Sequence, residues 1–285
     1  MILINHWTSV IAVVVASILI VLPLTTNAQL SRERVETNPA VEDIFWGTTN
    51  ICIGTVQNVS GNNLKSTVMH TFGLVSGGAD VFWGLDLGAN TRLGLDYGIT
   101  DRVSVGIGRM TFNKVVDIRS KVNVLRQTEN GSVPFDMAVK VSTGISTLSG
   151  RGLVFSDRLS YLISLMAARK FDRLSFQVTP MFARFNRVPE GDQNNLFGVG
   201  ILTHYELNER FALSAEYLPV LGDRNPGTED MMALSLNINT GGHIFQIFFS
   251  SSQWHGEQYI MANNADRFWE GDFRFGFNIN RVFGL

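Results

Sequence analysis

The sequence contains a single cysteine, Cys52, so it can form neither an intrachain disulfide nor a cysteine-cluster metal site. Charge is nearly balanced, with a formal net charge of −2, which gives no electrostatic footprint for nucleic acid. Zinc spacings, phosphate loops and calcium loops are absent, and we therefore predict no metal and no cofactor. Proline is scarce at 7 residues, whereas 27 glycines and 20 phenylalanines are present. This composition favours many strands joined by frequent turns.

The first 28 residues differ from the rest of the chain. Residues 10–22 are apolar except for Ser17, and Thr26-Asn27-Ala28 follows with the small residues typical of a cleavage site. An apolar core of about 13 residues before such a cleavage site predicts a secretory signal peptide at 1–28. An uncleaved N-terminal anchor is the alternative, because no Lys or Arg precedes the apolar core. No later segment has the roughly 18 uninterrupted apolar residues of a spanning helix.

Beyond residue 64, apolar residues recur at every second position, which is the pattern of strands with two unlike faces. Phe273, Phe275 and Phe277 share one face of the last stretch, and Arg274 and Asn278 share the other. The segments are about 8–14 residues long, close to the 9–11 that a tilted strand needs to cross a bilayer. Twelve are predicted, at 66–75, 91–99, 102–110, 114–126, 134–146, 158–170, 173–186, 196–206, 210–218, 231–239, 243–250 and 272–283.

The connections between these segments mostly alternate between short and long, as in barrels of the outer membrane. Three of the short ones share an acid-Arg pair followed by apolar, small and apolar residues, at Asp101-Arg102, Asp172-Arg173 and Glu209-Arg210. The connection at 111–113 is shorter than this alternation predicts, and the one at 127–133 is longer. Pro180 lacks a donor for the strand ladder, so we expect a bulge there.

The bulky apolar faces carry almost no charge, while the opposite faces carry small, polar and charged residues. A soluble barrel shows the reverse arrangement, with an apolar interior. We therefore predict an all-β fold, a transmembrane antiparallel up-and-down β-barrel of about 12 strands with an N-terminal signal peptide. Residues 29–64 are predicted as a periplasmic N-terminal extension or plug, and 65–285 as the barrel. The predicted location is the cell outer membrane, in contact with its lipid.

Several fragments resemble an uncharacterised β-barrel family of Bacteroidetes-type envelopes, known as domain of unknown function 5777. The matching runs include His70-x-Phe72-Gly73 and Phe82-Trp83-Gly84-Leu85-Asp86, followed by the stretch 92–102 and by Gly106-Ile107-Gly108-Arg109. Lys114, Lys121 and Gln127 complete the series. The resemblance covers roughly 45–285 and is strongest over 70–127. It implies a membrane barrel, and it implies no reaction because the family has none established.

Charged residues on the predicted inner faces are the main candidates for a functional role. A ring of charge in a barrel lumen tunes the selection of ions or solutes. The alternative is that these side chains pair with one another and fill the interior of a narrow barrel. The lumen-lining candidates are Arg92, Asp96, Asp117, Arg119, Lys121, Lys140 and Glu216.

We predict a narrow channel or porin for small solutes, with a non-conducting structural barrel or one that binds an envelope protein as the alternative. Predicted outer loops hold Phe82, Trp83, Trp254, Phe268 and Trp269, which fit an interface girdle or stacking on sugars or partner proteins. A remote alternative is an outer-membrane lipase, since a loop places Ser251, Ser252 and His255 close in sequence, with Glu257 nearby. No nucleophile elbow is present, and we predict no enzyme and no catalytic residue.

Overall fold

The computed structural model describes residues 38–148 and 152–284. The predicted signal peptide, and the part of the predicted extension before residue 38, lie outside the described residues. Each of the twelve predicted segments corresponds to a long strand, and one further strand has two residues. The strands are β1 (Asn63–Leu74), β2 (Asn90–Thr100), β3 (Val103–Met110), β4 (Val115–Leu125), β5 (Asp136–Ser146), β6 (Leu159–Phe171), β7 (Leu174–Phe185), β8 (Asn195–Glu206), β9 (Phe211–Leu218), β10 (Val220–Leu221), β11 (Met231–Asn239), β12 (His243–Ser250) and β13 (Arg274–Gly284).

The twelve long strands form one closed antiparallel wall. Neighbours in sequence pair with one another, except that β9 pairs with β11 because the short β10 returns to β8. The wall closes where β1 pairs with β13, with Asn63 opposite Gly284 and Thr71 opposite Gly276. Closure leaves no unpaired strand edge, which in hydrocarbon would cost several kcal/mol per polar group. The predicted up-and-down barrel of about twelve strands is confirmed.

The two faces of the wall have the inverted polarity that the sequence predicts. On β5, Met137 and Val141 are exposed on the outside, while Lys140 and Ser142 are buried inside. Exposed apolar side chains continue around the barrel on the other strands, among them Leu95, Ile107, Ile118, Ile163, Leu165, Phe176, Phe197, Leu213, Leu236, Ile247, Phe249 and Val282. A barrel wall with an apolar outer surface and a polar inner surface is suited to a lipid bilayer rather than to water.

Connections at the two ends of the barrel differ in length. One end, here called the turn end, has tight turns between β2 and β3 and between β6 and β7, and it holds the start of β1 and the end of β13. The other, the loop end, carries the longer connections, including residues 75–89 and 251–273. The long turn-end connection at 126–135 is tied to residues 38–41, since Val41 N donates to Gln127 O and Ala40 bridges Thr128.

One local expectation is wrong. Pro180 does not produce a bulge, because the register between β6 and β7 is the same on both sides of it, with Ser164 opposite Met181 and Ala167 opposite Val178. The β6–β7 ladder omits the two pairs between these positions, and Pro180 keeps its place opposite Val199 on β8. The strand tolerates the missing donor by leaving a short gap in the ladder on one side rather than by adding a residue.

Helical structure in the described residues is confined to connections. Among the described residues, the α-helix α1 (Glu257–Asn263) lies in the connection between β12 and β13. In residues 38–148 and 152–284 no helix combines the length and the apolar character needed to cross a membrane.

Candidate functional site: the barrel interior

Residues 44–59, here called the inner segment, run through the inside of the barrel before β1 begins. Ile44, Phe45, Ile51, Ile53 and Val56 are at most 1% exposed. The segment folds back on itself at its centre, where Thr49 bridges Gly54 and Asn50 N donates to Ile53 O at 2.9 Å. The tip of this turn therefore presents several backbone N–H groups to the surrounding wall.

Two buried carboxylates bind the backbone of the tip. On β9, Glu216 accepts hydrogen bonds from the N–H groups of Ile51 (2.7 Å), Cys52 (2.9 Å) and Ile53 (3.2 Å). The next N–H group, that of Gly54, donates to Glu257 Oε1 at 3.0 Å. Consecutive N–H groups that converge on a carboxylate form charge-assisted hydrogen bonds, which are stronger than neutral ones. The tip is thus bound by the wall on one side and by the loop-end helix on the other.

Amide side chains of the inner wall bind the rest of the segment. Gln177 on β7 accepts from Val56 N at 2.8 Å and donates to Gly54 O at 2.9 Å. Asn123 on β4 donates to Val56 O, and Asn278 on β13 donates to Ile51 O. Gln246 on β12 donates to Asn50 O. Because these contacts use side chains, the inner segment is not a member of the strand ladder and the wall is closed without it.

The inner segment also belongs to an apolar cluster inside the barrel. It packs with buried side chains of the wall and of α1, including Leu162, Met166, Met181, Leu196, Leu202, Leu218, Met231, Ile260 and Met261. The alternation along the strands predicts a polar interior, and this apolar cluster differs from that prediction. The large apolar side chains of the wall in this cluster lie mainly at inward positions of β6–β9 and β11, and Met110 and Val115 join them from β3 and β4. The side formed by β1–β5 carries most of the buried charged residues and is here called the polar side.

Helix α1 fills the interior from the loop end. Its residues from Glu257 to Ala262 are all buried, so the helix is enclosed on every side. Glu257 forms an ion pair with Lys140 on β5, and the Tyr259 hydroxyl is 2.7 Å from Ser160 Oγ on β6. Burial raises the pKa of Glu257, but the Lys140 ammonium and hydrogen bonds outweigh that effect, and the pKa lies below its usual value. The helix therefore brings a carboxylate, not a carboxylic acid, to the inner segment.

Four of the predicted residues form one ion-pair cluster on the inner face of β2 and β4, here called the charged tier. Arg92 binds Asp117 at 2.8 Å, and Arg119 binds both Asp96, at 2.7 Å, and Asp117, at 2.5 Å. Glycines make room for these side chains. A Cβ atom at Gly106 or Gly108 on β3 would overlap the guanidinium and carboxylate groups that lie across the strand.

Two cavities remain beside the inner segment. One, of about 60 Å³, is lined by the charged tier, Lys121, Lys140 and Tyr259. The other, of about 280 Å³, lies at the turn end and is lined by Trp46, Gln57, Asn58 and Lys65 among others. Thr48 lines both cavities. The smaller cavity therefore lies against the polar side of the barrel, and the turn-end cavity lies against β1, β13 and the turn between β11 and β12.

The seven predicted lumen-lining residues all lie on inward positions, but they form several separate groups. The charged tier contains Arg92, Asp96, Asp117 and Arg119. Lys121 donates to the carbonyl oxygens of Thr55 and Gln57, Lys140 pairs with Glu257, and Glu216 binds the tip. Lys65 is buried on the same side, opposite Asp96, and is not among the predicted residues because the first predicted segment begins at residue 66.

The serines and the histidine of the lipase alternative form hydrogen bonds with different partners and not with one another. Ser251 Oγ accepts from Met232 N and Ser252 Oγ accepts from Trp254 N, while His255 Nε2 donates to the Asn90 carbonyl at 3.2 Å. Burial lowers the pKa of His255 to about 4, so its imidazole is neutral at pH 7. Within the described residues, no hydrogen bond joins either serine to His255, and no group of three or more His, Cys, Asp or Glu could hold a metal ion.

The loop aromatics divide into two kinds. Phe82, Trp83 and Trp269 are more than half exposed, as expected for side chains at a loop end. The expectation for Trp254 is wrong, because its indole is buried in the interior, where it donates to Asn263 O and packs against Phe112. Trp254 lies in the connection that folds back into the barrel, and a sequence pattern gives no sign of that return.

A closed antiparallel barrel with an apolar outside and a filled polar inside is a membrane β-barrel, and its solved counterparts are outer-membrane proteins. The structure is similar to that of the NanC porin, with 12% identity and a TM-score of 0.50, over 78% of this chain and 99% of that one. It is also similar to the COG4313 outer membrane channel from Pseudomonas putida F1, with 10% identity and a TM-score of 0.53, over 80% and 98% of the two chains. The protein is an outer-membrane β-barrel.

The family follows from the sequence itself. Residues 45–283 match the family described as a membrane bound beta barrel domain (DUF5777), and the chain belongs to that family. The match begins inside the inner segment, so this segment is part of the family domain. No curated protein sequence matches the chain.

Proposed function

We propose that this outer-membrane barrel is a narrow channel for small solutes, closed in this structure by the inner segment. The observation that carries the proposal is the pair of cavities that share Thr48, one of them beside the charged tier and the other at the turn end. Charged groups that line a lumen select the ions or solutes that pass. The solved porin and channel of the same fold support a transport role.

Opening requires the inner segment to leave the space between the two cavities. Its tip is bound by side chains of Glu216, Glu257 and Gln177, and none of these contacts belongs to the ladder that closes the wall. The segment can therefore shift while the wall keeps all of its strand pairs. We place the turn end toward the periplasm, and the resemblance of residues 70–127 supports a Bacteroidetes-type envelope as the source.

A reversible covalent lock tests the proposal. The side chain of Ser250 on β12 lies beside the Cys52 thiol, so Ser250→Cys introduces a second thiol from which a disulfide would join the inner segment to the wall. In planar bilayers we expect conductance steps from the wild-type protein, no steps from oxidised Ser250→Cys, and steps again after reduction. The double variant Ser250→Cys/Cys52→Ser cannot form this disulfide, and its conductance should be the same under oxidising and reducing conditions. Conductance that persists in a fully oxidised variant would refute the inner segment as the gate.

The second candidate is a non-conducting structural or partner-binding barrel, and one observation favours it. The inner segment and α1 enter the interior from opposite ends and meet where Gly54 binds Glu257, which closes the lumen from both sides. This candidate expects silent bilayers from the wild-type protein and also from Glu216→Gln, in which the charged acceptor of the tip is removed. An envelope protein that co-purifies with the silent barrel would then support it.

A further inference from the structure

Two lysines inside the barrel differ from the other interior cations in their partners. Lys65 on β1 donates to Thr48 Oγ1 at 2.6 Å, and Lys121 on β4 donates to the carbonyl oxygens of Thr55, at 2.9 Å, and Gln57. Both side chains are buried, at 3% and 6% exposure. Within the described residues neither lysine forms an ion pair, so both ammonium groups are bound only by neutral oxygens of the inner segment and its flanks.

Most of the other charged residues on this side of the barrel form ion pairs. Arg92 and Arg119 are matched by Asp96 and Asp117, and Lys140 is matched by Glu257. Asp96 lies opposite Lys65 in the β1–β2 register, but Arg119 binds its carboxylate. Lys65 and Lys121 are therefore the two lysines of the polar side that form no ion pair within the described residues. Asp136 on β5 also forms none there, and its carboxyl group accepts a hydrogen bond from Gln127 N at the turn end.

Each of the two lysines lines one of the two cavities. Lys65 lines the turn-end cavity of about 280 Å³, together with the indole of Trp46 and the amide of Asn58. Lys121 lines the inner cavity beside the charged tier. The turn-end cavity is just below the usual range of small-molecule sites, which begins at roughly 300 Å³. A solute of the size of an amino acid or a sugar phosphate would meet first one lysine and then the other.

We infer that the channel takes small solutes that carry an anionic group, a carboxylate or a phosphate, and that Lys65 and Lys121 are the residues that select them. This inference rests on the proposed function. The Thr48 hydroxyl and the Thr55 and Gln57 carbonyls occupy the positions that the oxygens of the anion take when the inner segment shifts. An ammonium group in a site of low dielectric attracts an anion far more strongly than one in water.

Ion selectivity in planar bilayers tests the inference directly. In a tenfold KCl gradient we expect the current through the wild-type channel to reverse at a voltage near the chloride equilibrium potential. Lys65→Gln and Lys121→Gln should each lower the chloride-to-potassium permeability ratio severalfold, and the double variant should bring it close to one. Lys114→Gln removes an exposed charge at the loop end and should leave the ratio unchanged. A cation-selective wild type, or variants with an unaltered ratio, would overturn the inference.

Binding to the protein in detergent, which needs no conduction, separates this inference from the proposed function. Inorganic phosphate is titrated into the full chain in detergent, and the signal is the tryptophan fluorescence that Trp46→Phe removes. We expect a saturable change in the wild type and at least a tenfold weaker response in Lys65→Gln. If bilayers stay silent while phosphate binding depends on Lys65, the channel proposal fails and the anion site stands. Equal titrations of the wild type and Lys65→Gln would overturn the site.

Discussion

At the scale of single residues, the environment of a barrel side chain depends on its face and on its depth. Val141 is at the middle of β5 on the outside, with 39% of its surface exposed. Phe171 is also on the outside but at the turn end of β6. The two positions share a face and differ in their distance from the centre of the bilayer.

We therefore expect Val141→Arg to lower the free energy of unfolding by about 2–4 kcal/mol, and Phe171→Arg to lower it by only about 0–1 kcal/mol through its charge. The physical reason is the cost of a guanidinium in hydrocarbon, which falls near the headgroups. Urea unfolding of the lipid-reconstituted barrel measures both free-energy changes, with the fraction folded read from heat-modifiable gel mobility. Val141→Leu is the control for altered packing. Equal costs at the two depths would contradict the membrane position assigned to β5.

At the scale of elements, the position of the inner segment can be followed through the reactivity of its cysteine. Cys52 is the only cysteine in the sequence, and its side chain is buried. Burial raises the pKa of its thiol well above the usual value, and the Glu216 carboxylate raises it further. Since the thiolate is the reactive form, the raised pKa keeps the thiol unreactive at neutral pH and into the alkaline range.

We expect maleimide to label Cys52 slowly in the folded wild-type protein between pH 7 and 9. Glu216→Gln should speed labelling about tenfold or more, because it removes the charged acceptor of three N–H groups, and a hydrogen bond to a charged group contributes about 1.5–3 kcal/mol. Mass spectrometry of the labelled fraction gives the rate. Glu209→Gln changes an exposed turn carboxylate and is the matched control. A rate in Glu216→Gln as low as in the wild type would show that Glu216 does not hold the segment.

Strands and interior contacts differ in how far the sequence predicts them. Each strand is defined by its own alternation, because lipid on one side and the lumen on the other act on every second residue. The inner segment has no such repeat, and its partners, such as Glu216 and Asn278, lie more than 160 residues away. Helix α1 has seven residues and is buried all round, so it has no amphipathic period to detect. The seven lumen candidates were accessible from the strand pattern, but which of them pair with one another was not.

At the scale of the whole molecule, closure of the wall and filling of the interior are separable. All twelve long strands pair with two neighbours each, and the pairing of β1 with β13 completes the ring. The contacts of the inner segment with the wall are hydrogen bonds to side chains and apolar packing. In a bilayer the strand ladder is indispensable, since no water replaces a lost backbone hydrogen bond. We expect packing in the interior to add stability without deciding whether the ring forms.

Two deletions should therefore have opposite effects on the barrel. Removing residues 44–59 takes out the inner segment and leaves every strand pair, so we expect a folded barrel that still shows heat-modifiable gel mobility, with a lower unfolding temperature. Removing β13 leaves β1 and β12 each with one unpaired edge, and we expect no heat-modifiable species at all. The first deletion also enlarges the lumen, because the two cavities that share Thr48 become one space. Loss of the folded form in both deletions would mean that the interior contacts, and not the strand ladder alone, decide whether this ring closes.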